Sequence, residues 1–172
     1  MTLTHDVGQA LAAAAELADE VEGYTVADLL AFYDRWGYTG ARPRTRAELE
    51  STRRIGPRLR ALLTADRDGA ARLVNEILSE QHAVPRLVRH GESDWHVHAI
   101  DDERPLHERV LVETAMAMID VIRLDEMSRL GVCAAADCDG LVVDLSRNRS
   151  RKFCSVTCGN REAQAAHRAR RG

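Results

Sequence analysis

The chain is 172 residues long, with 24 basic and 27 acidic residues and a formal net charge of −3 at pH 7. No apolar run approaches the roughly 20 residues of a membrane span. The opening MTLTHDVGQALAAAAELADEVEG has no basic n-region and is broken by Glu16, Asp19, Glu20 and Glu22, so no secretory leader is expected and a reducing cytoplasm is the expected compartment.

Leu11 to Val21 is alanine-rich with apolar spacing compatible with a helix, and Thr25 to Trp36 follows with Leu29, Leu30 and Phe32 available to bury. Thr45 and Glu48 carry the pattern of a capping box, in which each side chain closes the other residue's free backbone N–H, before a helix extending towards Ala65. Gly56-Pro57 is expected to interrupt or kink that helix, because proline donates no hydrogen bond and its ring crowds the preceding turn. Asp66 can cap a further helix over Arg67 to Gln81, with Leu73, Val74, Ile77 and Leu78 at helical spacing.

The stretch AVPRLVRHGESDWHVHAID alternates and has Gly91 near a turn, which predicts a two-stranded hairpin. His96 and His98 share one strand face, but the local sequence marks no third ligand, so ordinary half-exposed histidines are expected rather than a metal pair. Trp95 is expected in the core, the alternative being a small-molecule pocket that it lines with Arg86. Asp101-Asp102 reads as easily as a capped turn as a catalytic pair. A long helix is predicted from about Pro105 to Arg129, with Leu111, Met118, Ile119, Ile122 and Met127 dense enough to make it the central buried element.

All four cysteines fall after this helix, at Cys133, Cys138, Cys154 and Cys158, as two close pairs separated by fifteen residues. Close cysteine pairs in a reducing compartment usually bind metal, and this spacing is much like that of structural zinc sites. Zinc accepts a tetrahedral cage of four thiolates at about 2.3 Å, and a cage filled by protein leaves no open position for catalysis, so a structural Zn2+ is expected. The alternatives are an iron–sulfur cluster and redox-active or merely buried thiols. His167 lies on the final helix, but the cysteines already complete the set, and a surface histidine is expected. Between the pairs, Leu141-Val142-Val143 is β-prone, Ser146 to Ser150 is a polar turn, and Arg151 to Phe153 can return as a second short strand. Ser155 then caps a helix that carries Cys158 in its first turn. Knuckle, hairpin and helix in that order make a treble-clef pattern, in which metal replaces a core that about forty residues cannot build.

The segment Cys133 to Arg171, with its SRNRSRKFCSVTCGNR, resembles the CGNR-type zinc finger, whose name is spelled by Cys158-Gly159-Asn160-Arg161. In that family the finger follows a helical module, the ABATE domain, associated with stress-induced transcription regulation. The helical content, the SEQHAVPRLV stretch and the Trp95 segment are similar to that module, whereas the opening His5-Asp6-Val7-Gly8-Gln9 departs from the Asp-Leu-Val-Asn-Thr type of run common there. The expected fold is therefore mainly α: a helical ABATE-like domain with a small β-hairpin over residues 1–130, then a treble-clef-like four-cysteine finger over residues 131–172.

Charge gives an independent route to a partner. Residues 147–172 hold eight basic groups against Glu162 alone, a net of plus seven, which leaves minus ten on the first 146 residues from 16 basic and 26 acidic groups. A basic patch of this kind is the footprint of a nucleic-acid binder, because each phosphate contact releases condensed counterions. Arg161, Gln164, Arg168 and Arg171 follow at steps of three, four and three and line one helix face, while Ala163, Ala165 and Ala166 keep the helix slim enough for a major groove about 12 Å wide. Arg147, Arg149, Arg151 and Lys152 are the expected phosphate contacts. The bland alternative is a solvated terminal helix, and the turn carrying those four residues could equally pack on acids of the first domain. No phosphate loop, nucleophile elbow, metalloprotease helix or kinase signature is present, so a non-enzyme is expected. The expected partner is double-stranded DNA, with the helical domain sensing a small-molecule effector or closing a homodimer; the competing expectation is a zinc-stabilised protein-interaction module that binds no DNA.

Overall fold

A computed structural model describes residues 3–89 and 95–170. Helix α1, His5–Glu20, is capped by Thr4 and buries Val7, Gly8, Leu11, Ala13, Ala14, Ala15 and Leu17. Its alanine face lets neighbouring helices approach closely. A short 3-10 turn, Val21–Gly23, leads to α2, Val26–Arg35, whose Thr25 and Asp28 form a capping box. Glu16 ties α1 to the residues flanking α2 by accepting from the Tyr24 hydroxyl at 2.6 Å and from Trp36 Nε1 at 3.0 Å.

The capping box expected from Thr45 and Glu48 starts α3, Arg46–Thr64, with the Thr45 N–H donating to Glu48 at 2.9 Å and the Glu48 N–H to Thr45 at 3.2 Å. This helix runs on through Pro57 rather than stopping there; Pro57 itself is exposed, so its ring does not disturb the core. Gly56 beside it is buried, and a Cβ there would stand 3.1 Å from Val21 Cγ1, so the glycine lets α3 lie against the end of α1. Asp66 caps α4, Arg67–Glu80, accepting from the Gly69 N–H at 2.6 Å.

Helix α5, Leu106–Arg123, packs against α1, α3 and α4 and is the central buried element that its apolar density predicted. Val110, Val112, Ala115, Met118 and Val121 are fully enclosed there, and burying each side chain of Val or Met size stabilises the fold by roughly 2 kcal/mol. The helix is shorter than expected. It ends at Arg123, Asp125 takes a left-handed φ of 56°, and Met127–Arg129 forms a separate 3-10 turn that points Glu126 and Arg129 inwards. Pro105 sits just outside the first turn as its N-cap.

The two strands of the predicted first hairpin pair, β1, Arg86–Val88, antiparallel to β2, His96–His98, with Leu87 opposite Val97, while Gly91, expected near the turn, lies outside the described residues. Trp95, expected in the core, is instead 62% exposed, with the Arg89 guanidinium 5.6 Å from its ring centroid. A cation over an indole face offsets part of the cost of that exposure.

In the finger, β3, Leu130–Val132, pairs antiparallel with β4, Leu141–Val143. The expected partner of β4, Arg151 to Phe153, forms no strand. Its backbone is engaged elsewhere: the Arg151 N–H donates to Asp144 Oδ2 at 2.7 Å, and the Lys152 carbonyl accepts from Ala134 N–H at 2.8 Å. Leu141 and Val143 pack into the main core with Leu130 at its edge, so the boundary expected between residues 130 and 131 falls inside β3. Helix α6, Val156–Ala169, closes the described chain. Among the described residues no helix is long and apolar enough to cross a membrane.

Candidate metal centre and basic face

Three local devices bring the four cysteines together. The Cys133 N–H donates to the Gly140 carbonyl at 2.8 Å and the Cys138 N–H to the Ala135 carbonyl at 3.2 Å, which closes the first knuckle directly after β3. The Ala134 to Lys152 hydrogen bond draws the second pair alongside. Ser155 then caps α6 by accepting from the Cys158 N–H at 3.2 Å, which places Cys158 in the first helical turn as its pattern predicted. Gly140 is required by the close approach of the second pair: a Cβ there would lie 3.0 Å from Cys154 Sγ.

The result is a compact sulfur cluster. Its four ligand atoms lie within 4.8 Å of one another, with Cys138 and Cys154 Sγ 3.6 Å apart and Cys154 and Cys158 Sγ 3.7 Å apart. A tetrahedron of thiolates around zinc with 2.3 Å bonds has sulfur–sulfur edges of about 3.8 Å, so the donor set fits the ion in both chemistry and size. Proton affinities point the same way. Burial raises the Cys133 thiol, but N–H bonds from Ala135 and Cys154 and the sulfurs of Cys154 and Cys138 outweigh it and bring the group down to about 7. Burial and its three sulfur neighbours push Cys154 up to about 12. Sulfurs this close cannot all ionise without a cation among them, and a thiolate-binding dication would displace their protons. His167 is exposed and stands outside the cluster.

Two clamps fix the finger on the helical domain; the first carries no mark in the sequence, and the second is the packing of the basic turn on an acid of the first domain that the sequence left open as an alternative. Asp19, at the end of α1, accepts from the Leu141 N–H at 2.7 Å and pairs with Arg60 of α3, which also donates to the Asp139 carbonyl at 2.8 Å. Glu126 is the second anchor: buried, it binds Arg129 at 2.8 Å and Arg149 at 2.6 Å, while Arg129 donates to the Asp144 and Ser146 carbonyls at 2.9 and 3.0 Å. The pairs join residues 19 with 141 and 126 with 149, separations at which no local pattern marks a partner.

Those clamps divide the basic residues into two groups. Arg149 is turned to Glu126, and Arg151 donates to the Phe153 carbonyl at 3.1 Å and to the Cys154 carbonyl, so both help to shape the turn. Arg147, Lys152, Arg161, Gln164 and Arg168 are exposed. Arg161 leans over the metal centre, its guanidinium 3.9 Å from Cys158 Sγ. Arg171 lies outside the described residues. In α6 only Cys158 is buried; the helix is held at its base by the sulfur cluster and by Glu162, which accepts from the Ala136 N–H at 3.4 Å, and the rest of its surface faces solvent.

Two family models match the chain. Residues 5–124 match the ABATE model, described as "Putative stress-induced transcription regulator", and residues 129–171 match the CGNR zinc finger. No curated protein matches it.

Proposed function

This chain belongs to the ABATE family and carries a CGNR zinc finger behind the family module, and on that premise we propose that it is a DNA-binding transcription regulator whose finger is built on one structural zinc ion. The observation that carries the reading is α6, a helix with a single buried residue that presents Arg161, Gln164 and Arg168 to solvent beside Arg147 and Lys152. A helix exposed on nearly every side and held only at its N-terminal end is free to enter a groove. Zinc, bound by Cys133, Cys138, Cys154 and Cys158, supplies the cross-link that stabilises the finger. Arg147 and Lys152 contact phosphates and set orientation, Arg161, Gln164 and Arg168 face the groove, and Arg171 extends the stripe. Arg149 and Arg151 hold the turn that presents Arg147 and Lys152. The helical domain senses an effector or mediates self-association, and regulation proceeds by binding rather than by turnover.

The test is duplex binding of the zinc-loaded protein, followed by fluorescence anisotropy across salt concentrations. Binding that weakens with salt and is lost in Arg161→Glu/Arg168→Glu is expected. Absence of binding to genomic fragments at low salt overturns the reading. One observation favours a second reading, a protein-interaction module: Arg149 already docks on a buried acid of its own chain, and the same stripe could dock on an acidic partner protein. That reading predicts no duplex affinity and capture of acidic polypeptides that is lost in the same double variant.

A further inference from the structure

Glu113 sits in the middle of α5, half-buried, and makes no hydrogen bond or ion pair with any described residue. A carboxylate partly withdrawn from water without a partner is costly, and the group's surroundings say what would relieve this one. Its side chain reaches the shared wall of two adjoining clefts, of about 180 and 470 Å³, a wall formed by Asp6 and Ala10 of α1, His98 of β2 and Glu113 itself. The larger cleft continues along Trp95, Val97, Ala99, Met116 and Ile119, so a charged corner opens onto an apolar trough.

The cations at this corner are already committed. Arg109 is fully buried and donates to the carbonyls of Arg104, Thr39 and Ala41, with its guanidinium also over the rings of Tyr33 and Tyr38. His98 pairs with Asp102 at 3.2 Å. Arg123 lines the far end of the larger cleft beside Asp120, so among the described residues the acids Asp6, Asp102, Glu113 and Asp120 still outnumber the lining cations. Burial pushes the Glu113 carboxyl up to about 7, with Arg109 lowering it and Asp102 raising it further; a neighbouring positive charge would remove that penalty. Among the described residues only the cysteines bring three or more metal-ligand atoms together, so the corner lacks the ligand set for a metal ion. An ammonium group, which needs one or two carboxylates and tolerates an aromatic neighbour, matches it.

We propose that this cleft between α1, β2 and α5 binds a small organic amine in its protonated form, the ammonium group against Glu113 and Asp6 and the apolar body along Trp95, Met116 and Ile119. This deepens the effector-sensing part of the proposed function, and it is tested without DNA, so the two stand or fall separately. Both tryptophans of the chain line these clefts, Trp36 the smaller and Trp95 the larger, which makes intrinsic emission the natural readout. In the full-length zinc-loaded protein, 2-phenylethylamine is expected to change the emission saturably, and 3-phenylpropionate, which places an anion on a similar body, to give no saturable change. Glu113→Gln is expected to weaken the amine about tenfold or more, as loss of a charge-assisted hydrogen bond does, and Asp6→Asn to weaken it less; Trp36→Phe should leave the signal in place, which assigns it to Trp95. No saturation by the amine, equal binding of the propionate, or undiminished affinity in a folded Glu113→Gln protein overturns the proposal.

Discussion

Replacing Glu126 by Gln removes the one negative charge that holds the turn of the finger to the helical domain. Arg129, 7% exposed at its side chain, would keep its hydrogen bonds to the Asp144 and Ser146 carbonyls but lose its counter-charge, and Arg149, half-exposed, would lose its anchor. Breaking a buried ion pair from one side costs about 3–5 kcal/mol, and a partly exposed pair adds about 1 kcal/mol or less. Glutamine still offers an acceptor oxygen, which places the expected loss near the lower end, at about 3 kcal/mol. Urea unfolding at saturating zinc measures it, with Arg149→Ala as the reference, expected to cost only about 1 kcal/mol because half its side chain is in water. Pairing Glu126→Gln with Arg129→Met should recover only part of the loss, since it removes the orphaned charge but leaves the Asp144 and Ser146 carbonyls without their donor. A Glu126→Gln protein within about 0.5 kcal/mol of the parent would refute the reasoning. The variant should also bind duplex with a steeper salt dependence, because a released Arg149 can take a phosphate, adding about 0.9 to the slope of log K against log salt.

Glu113→Gln should be more stable than the parent at neutral and alkaline pH. The folded chain holds this carboxyl at about 7 against an ordinary value of 4.5, so between those values the native state keeps a proton that the unfolded chain has lost, and the carboxyl's contribution falls by about 3 kcal/mol as pH rises through the window. Unfolding of the two proteins at pH 5.5 and pH 8 checks this: the variant's advantage must widen towards pH 8, and a constant or narrowing gap contradicts it. In the finger, Gly140→Ala should weaken zinc about tenfold or more in a chelator competition, because the added methyl meets Cys154 Sγ at 3.0 Å, while Gly131→Ala, where a Cβ meets nothing within 4 Å, should leave it unchanged.

What could be read from the residues alone was whatever is encoded within a few positions. The cysteine spacing, the Ser155 cap and the Thr45–Glu48 box each involve groups three to five residues apart, and each appears in the structure where its pattern placed it. The pairing of β4 was misread because Leu130-Gly131-Val132 is a weak strand signal, whereas Arg151 to Phe153 looked extended; an Asp144 carboxylate that captures the Arg151 N–H decided between them. Trp95 was assigned to the core by its size, and it instead stands at the surface along the larger cleft, with Arg89 near its ring. Glu113, on a helix with charged residues at Glu108, Asp120 and Arg123, looks like any solvated acid until α1 and β2 are seen to close over it. Asp19 carries no local mark, because its partner Leu141 comes from the far side of the chain; Glu126 and Arg129 stand three apart, but nothing local shows that they turn inwards to meet Arg149 and the Asp144 and Ser146 carbonyls.

The account depends on one ion in the sulfur cluster, and elemental analysis of the purified protein by plasma mass spectrometry tests that directly. It predicts one zinc per chain, lost when Cys133 and Cys158 are both replaced by serine; protein that is fully folded yet holds no stoichiometric zinc, or that keeps its zinc in that double variant, would contradict it.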